Sequence, residues 1–308
     1  MKKVIGIDIG ATKTIGAIIN QQGKILKEIR IDTNASLGPE NLMNSISSII
    51  EQLLKVEKKI SAIGIGAAGR IDTETGKVFF ASDNLPGWMG QDIKQPIEAQ
   101  FNIPTYVDND CNVAGLGEQW LGSARKAPSY VSLSLGTGVG AAVFVNGQLL
   151  HGAHHSGAEL GHMIIHPNGR PCNCGLKGCL EQYCSGPSLV KAYQQISQKE
   201  LADGYAFFEQ VKQGDLFAKH VLEEFVNNLA TACLSLFNIY DPELIVLSGG
   251  LIDTRDLWWS DFMDIISKSK LNDLFKLVVY PAQLGSKAAL YGAAYLAFQN
   301  LDTFGKRV

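Results

Sequence analysis

Two apolar runs, one at the start of the chain and one near its middle, each end on a glycine and reach an asparagine turn ten positions later: Gly10 to Asn20, and Gly136 to Asn146. Around the first, residues 4–10 and 14–20 read as strands, and Asn20-Gln21-Gln22-Gly23 turns into a third at 24–31, a β-meander. Pro39 then opens a helix with Leu42, Ile46, Ile49, Ile50 and Leu53 at helical spacing. A buried strand at 60–66 follows and runs into Gly66-Ala67-Ala68-Gly69. Around the second, strands at 131–136 and 139–145 lead through Asn146-Gly147 into 148–150. A helix over 221–240 stops at Asp241-Pro242, and the strand Leu244–Leu247 ends in Ser248-Gly249-Gly250. Each half runs meander, helix, strand, glycine loop.

A duplicated unit of this kind predicts an α/β chain of two similar domains facing a cleft. One larger α/β domain with a chance repeat is the alternative. The glycines argue against it, because each half puts a glycine-rich turn where a strand must approach a ligand. The expected domains are a small one over 1–118 and a large one over 119–285, with linkers near 111–128. A last helix at 286–299, rich in alanine from Ala288 to Ala297, is expected to bring segment 286–308 back onto the first domain. The 308 residues suffice for two cores.

Charged residues make up 19% of the chain and the formal net charge is −3, which gives no reason to expect nucleic acid or an anionic membrane as partner. Asp8 interrupts the only apolar run near the start, and no stretch approaches ~18 apolar residues. A cytoplasmic protein is expected. In that reducing setting, three of six cysteines crowded together point to metal rather than disulfides.

His162 is followed by nine residues, Cys172, one residue, Cys174, four residues and Cys179. One imidazole and three thiolates make a closed tetrahedral set, the pattern of a structural zinc. Buried free cysteines beside an unrelated histidine are the bland alternative. The metal would fix a loop whose flanks carry Glu159 and Glu181. His151, His154, His155 and His166 are read as surface or loop histidines, and Cys111, Cys184 and Cys233 as small core residues. Trp258-Trp259 is read as packing or an interface.

The turn Asp8-Ile9-Gly10-Ala11-Thr12-Lys13 suits a phosphate, offering backbone N–H groups and the Thr12 hydroxyl, with Asp8 placed to hold Mg²⁺ through water. Gly136-Thr137-Gly138 occupies the equivalent turn of the second half, and Gly249-Gly250 a third. None fits the Walker or dinucleotide patterns. Tyr106-Val107-Asp108-Asn109-Asp110-Cys111-Asn112 places two carboxylates and two amides at a strand-to-helix junction. Helix capping accounts for such residues. So does a general base that takes the proton of an attacking hydroxyl.

Together Asp8-x-Gly10-x-Thr12-Lys13, Asn109-Asp110-x-Asn112, the run from Leu135 to Glu159-x-Gly161-His162, and Cys172-x-Cys174-Gly175-x-x-Gly178-Cys179-x-Glu181 resemble the ROK family of repressors and sugar kinases. The resemblance implies a two-domain actin-like ATPase (ribonuclease H-like) fold with the active site in the cleft. It implies Asp110 as the base, and a sugar held by Asn84, Asn109, Glu159, His162 and Glu181 with Gly69 close by. It also implies ATP phosphates on the first two glycine turns, adenosine over Gly249-Gly250, and His162 as both zinc ligand and sugar neighbour. ATP, Mg²⁺ and structural Zn²⁺ are the implied cofactors, and a homodimer or homotetramer the assembly. Repressor members carry a winged helix-turn-helix ahead of the Asp-x-Gly motif. Here that motif starts at residue 8, so none is expected. Glucose is the expected substrate, ahead of N-acetylmannosamine, N-acetylglucosamine and fructose. A non-catalytic sugar-sensing regulator is the reading from a different class.

Overall fold

The computed structural model describes residues 2–10, 12–81 and 85–304, and the chain divides into two compact units. The first begins with strands β1 (Lys3–Ile9), β2 (Lys13–Asn20) and β3 (Ile25–Asp32), helix α1 (Pro39–Val56), and strands β4 (Ile63–Ala67), β5 (Arg70–Asp72) and β6 (Lys77–Phe80). Helix α2 (Lys94–Phe101), strand β7 (Thr105–Asn109) and helix α3 (Asp110–Leu121) follow. The sheet order is β3-β2-β1-β4-β7, antiparallel through the meander and parallel from β1 to β4 to β7. β4 is buried at every position, as a strand covered on both faces must be. One cover is α1, which starts on Pro39 and turns Leu42, Ile46, Ile49, Ile50 and Leu53 inward.

The second unit holds β8 (Tyr130–Leu135), β9 (Val139–Val145), β10 (Gln148–Leu149), α4 (Glu181–Cys184), α5 (Gly186–Ser197), α6 (Gly204–Lys212) and α7 (Leu216–Tyr240). After these come β11 (Leu244–Ser248), α8 (Trp259–Lys268), α9 (Leu271–Leu274) and β12 (Val279–Pro281). Its sheet, β10-β9-β8-β11-β12, repeats the plan of the first. Its core runs from Val131, Leu133 and Leu135 to the inner face of α7, and includes Trp258, which is 1% exposed.

The last helix, α10 (Ala288–Phe304), belongs to the first unit, where it packs on α3, β1 and β4. Leu290, Ala294 and Ala297 close the sheet face formed by Val4, Ala17 and Ile19. The approach is backbone to backbone. A side chain at Gly64 would collide with the Ala293 carbonyl, and one at Gly292 with the Val113 carbonyl.

Three boundaries differ from the expectations. Residues 110–121, which overlap the expected linker, form α3. Its helical signal is diluted by Gly115 and Gly117; a side chain at Gly117 would collide with the Ala288 carbonyl of α10, and one at the cap, Gly122, with the Glu118 carboxylate. The first unit extends to Lys126 rather than to residue 118. Buried Glu118 fastens this extension, accepting hydrogen bonds from the N–H groups of Ser123 (2.7 Å), Leu284 (2.8 Å) and Gln283 (3.2 Å). Finally, His151–Gly157 lies outside the second unit and belongs to the first. No helix among the described residues is long and apolar enough to cross a membrane.

Candidate functional site

β7 delivers Asp108, Asn109 and Asp110 to the start of α3. Asn109 is the N-cap, in extended conformation, and its Oδ1 accepts from the N–H groups of Cys111 (2.8 Å) and Asn112 (3.2 Å). Its Nδ2 donates to the Gly69 carbonyl and to Asp110 Oδ1, both at 2.9 Å. The amide is thus spent on the protein: Asn109 caps the helix and holds one oxygen of Asp110, and the two readings of this junction do not compete. The Cys111 N–H also donates to Asp110 Oδ1, at 2.9 Å. Burial raises the Asp110 pKa, and these donors only partly offset it. Asp8, at the end of β1, is pushed up to about 7 by burial and then by the negative charge of Asp110. Two carboxylates that resist being charged together favour a proton or a cation between their charges.

The first glycine turn is closed by Gly10 N–H donating to the Lys13 carbonyl at 2.9 Å, and Thr12 O accepts from Thr33 N–H at 2.8 Å. Ala11 and Asn84 lie outside the described residues. In the second turn Gly136 N–H donates to the Gly138 carbonyl at 2.9 Å, and Gly136 O accepts from Gly186 N–H at 2.8 Å. The third turn starts on Gly249, at φ +88°. The second and third turns open on one cavity of about 670 Å³, with Gly136, Thr137, Gly250 and Thr254 on its polar side and Val190, Phe208 and Leu251 on its apolar side. That is the size and lining of a small-molecule site.

His162, on a single helical turn over Leu160–His162, faces Cys172, Cys174 and Cys179. Their four ligand atoms lie within 4.8 Å of one another. Cys172 Sγ is 3.6 Å from His162 Nδ1, and the Sγ atoms of Cys174 and Cys179 are 3.6 Å apart. A tetrahedron of ~2.3 Å Zn–S bonds has edges of about 3.8 Å, so the donor set fits zinc by distance as well as by chemistry. Burial and the neighbouring thiols of Cys174 and Cys172 push Cys179 up to about 12. Three thiolates this close need a dication to form. Gln182 Nε2 donates to Cys172 Sγ at 3.5 Å, supporting the ligand from outside. A set of four protein ligands leaves no position for a reactive water, as in a structural site.

The same loop joins the two acidic segments. Leu180 N–H donates to the Met163 carbonyl at 2.9 Å, so the stretch after Glu159 pairs with the stretch before Glu181. Glu181 begins α4, and its Oε2 accepts from the Val139 N–H at 3.0 Å.

One residue escaped the sequence reading. His151, taken there for a loop histidine, has Nε2 2.7 Å from Asp108 Oδ2. Nothing local signals it, since the partners are 43 positions apart. His166 keeps the bland role, bonded through Nε2 to Asn228 Oδ1 at 2.7 Å. Cys184 and Cys233 are buried in the core as expected, whereas Cys111 is only half-buried.

The profile of the ROK family matches residues 4–300. Glucokinase from Thermotoga maritima is 34% identical over 262 residues, covering 81% of this chain and 82% of that protein. The crystal structure of a ROK hexokinase from Thermus thermophilus superposes with a TM-score of 0.89 at 28% identity, covering 98% of this chain and 99% of that one. A ROK family glucokinase from Streptomyces griseus, solved with glucose and AMPPNP, gives 0.79 at 29% identity, covering 96% and 99%.

Proposed function

This chain belongs to the ROK family, with the two-domain actin-like ATPase fold of its kinases, and we propose that it is a glucokinase that transfers the ATP γ-phosphoryl to the 6-hydroxyl of glucose. That the reaction is ATP-dependent phosphorylation of a hexose follows from family membership together with glucokinase relatives above 30% identity. The choice of glucose rests on those relatives.

The observation that carries the chemistry is Asp110. It stands at the first position of a helix, with one oxygen held by Asn109 and by the Cys111 N–H, and its pKa is raised by burial. A carboxylate that holds a proton more tightly than usual is a better base for an alcohol attacking in line. Asp110 takes the 6-hydroxyl proton as the O–P bond forms and the γ-phosphoryl leaves ADP. The turns Gly10-Ala11-Thr12-Lys13 and Gly136-Thr137-Gly138 receive the phosphates through the Thr12 and Thr137 hydroxyls and the backbone N–H groups other than those of Gly10 and Gly136, which close the turns. The nucleoside takes the cavity beside Gly249 and Gly250. Asp8 would hold Mg²⁺ through water, and the ion would supply positive charge to the phosphates.

The sugar hydroxyls are assigned to Gly69, Asn84, Asn109, Glu159, His162 and Glu181. Asn109 has its amide committed to Gly69 and Asp110, so it must exchange a bond to reach a sugar, and orienting the base is its first task. Zn²⁺ on His162, Cys172, Cys174 and Cys179 is structural in this reading and holds the loop on which His162, Glu159 and Glu181 depend. The enzyme is cytoplasmic in this reading, and a homodimer or homotetramer.

ADP release measured across a hexose panel tests the substrate. Glucose should give the highest kcat/KM. A higher value for N-acetylmannosamine, N-acetylglucosamine or fructose would replace glucose by that sugar. Sugar binding with no turnover on any hexose would favour a sensing regulator.

A further inference from the structure

Asp108 is 1% exposed, and a carboxylate so enclosed is strongly disfavoured unless it is paired and hydrogen-bonded. Its two oxygens divide the work. Oδ1 accepts from the Asn109 N–H at 2.7 Å and from Asn112 Nδ2 at 2.8 Å, and Oδ2 meets His151 Nε2 at 2.7 Å. One bond further on, Asn109 Nδ2 holds Asp110 Oδ1. The imidazole is therefore three hydrogen bonds from the base, through Asp108 and Asn109.

His151 opens a short segment that is set apart from the residues on either side of it. Residues 151–157 leave the second unit, join the first and return. The segment closes on itself through Gly157 N–H to His151 O at 2.7 Å. A second tie follows at His155, whose Nδ1 is 3.3 Å from Thr73 Oγ1 and whose Nε2 is 3.6 Å from Asp72 Oδ1. The titratable groups about His151 are Asp108 on β7 and His155, ring to ring at 6.3 Å. The hydrogen bond to Asp108 holds the His151 pKa above the usual imidazole value, against the opposing effect of burial. An imidazolium against a buried carboxylate is a charge pair that resists sliding.

We propose that His151 is a positioning residue for phosphoryl transfer: by pairing with buried Asp108 it locks the Asn109–Asn112 turn and so holds Asp110 toward the acceptor hydroxyl. The proposal rests on Asp110 as the base. A histidine that merely tied down a loop would change stability and leave the turnover of folded enzyme alone.

Four variants, assayed with ATP and the best hexose of the panel, separate these roles. His151→Ala should lower kcat about tenfold to a hundredfold, the cost of a base displaced by a fraction of an ångström to an ångström. The KM for ATP should stay within about threefold, since no ATP contact is touched. His151→Gln, which keeps a neutral donor where Nε2 stood, should recover most of the loss. Asp108→Asn placed in the His151→Ala enzyme should recover part of it, because no buried charge then lacks a partner. Wild-type kcat in folded His151→Ala would overturn the proposal, as would a loss that neither Gln nor Asp108→Asn relieves. Asp110→Asn assayed alongside distinguishes the two failures. If it stays active, the base assignment falls and this proposal with it. If it is inactive while His151→Ala is fully active, only this proposal falls.

Discussion

Glu181 Oε2 accepts a hydrogen bond from the Val139 N–H at 3.0 Å, which lays the carboxylate against the second glycine turn. A Cβ at Gly138 would stand 2.5 Å from that oxygen, so the turn and the acid are shaped for each other. Glu181 lies two residues beyond Cys179, a member of the proposed zinc set. A residue assigned to the sugar is thereby also a brace for the turn assigned to ATP phosphates.

Glu181→Ala should therefore raise the KM for ATP as well as for the hexose. A hydrogen bond to a charged acceptor contributes roughly 1.5–3 kcal/mol, so the rise for ATP is on the order of tenfold to a hundredfold. Glu181→Gln keeps an acceptor for Val139 and should spare ATP while still weakening the sugar. Steady-state kinetics with each substrate varied in turn checks this. An unchanged ATP KM in Glu181→Ala would contradict the brace.

Asp110→Asn removes the proton acceptor and keeps the shape. Turnover should fall by at least about a hundredfold, the lower end of what general-base assistance supplies. Hexose binding, followed by titration calorimetry, should survive.

The pH profile follows from the sign of the Asp110 shift. Only the charged form accepts a proton, and burial raises the pKa above 3.8. Activity should therefore be lost as pH falls through this raised pKa, with the acid limb of kcat/KM centred above the ordinary aspartate value. Asp8, pushed up to about 7 by burial and by Asp110, adds a protonation that Mg²⁺ opposes, so more Mg²⁺ should move the limb to lower pH. An acid limb centred at or below the ordinary aspartate value would contradict the raised pKa.

Cys174 is an exposed member of the metal set, so Cys174→Ala disturbs little packing. The variant should lose bound zinc by elemental analysis, melt at lower temperature and bind hexose more weakly, because four-ligand sites contribute directly to folding. Normal hexose affinity in metal-free Cys174→Ala would remove zinc from the sugar site.

What was legible in the sequence was what is local. His162 and Cys179 are 17 positions apart, so spacing alone brought the metal set together. The two meanders declared themselves because each strand pair and its glycine turn are contiguous. The start of α3 was legible as the strand-to-helix junction at Asp108–Asn112, but its extent was not, since Gly117 weakens a helix locally and answers to α10, far along the chain. His151 was hidden for the same reason: its partner Asp108 is fixed by tertiary structure, and an isolated histidine before Gly152 looks like any loop residue. The role of Asn109 lay between these cases, because capping and orienting the base use the same side chain.

The return of α10 to the first unit also bears on how the protein is made. Val4, Ala17 and Ile19 are covered by Leu290, Ala294 and Ala297, so β1 and β2 leave the ribosome well before the helix that covers them. The second unit is complete by Ala282, before any of α10 is synthesised. Translation thus runs against the order in which the units close: the part begun first is finished last. Until then its apolar sheet face is open to other nascent chains or to a chaperone.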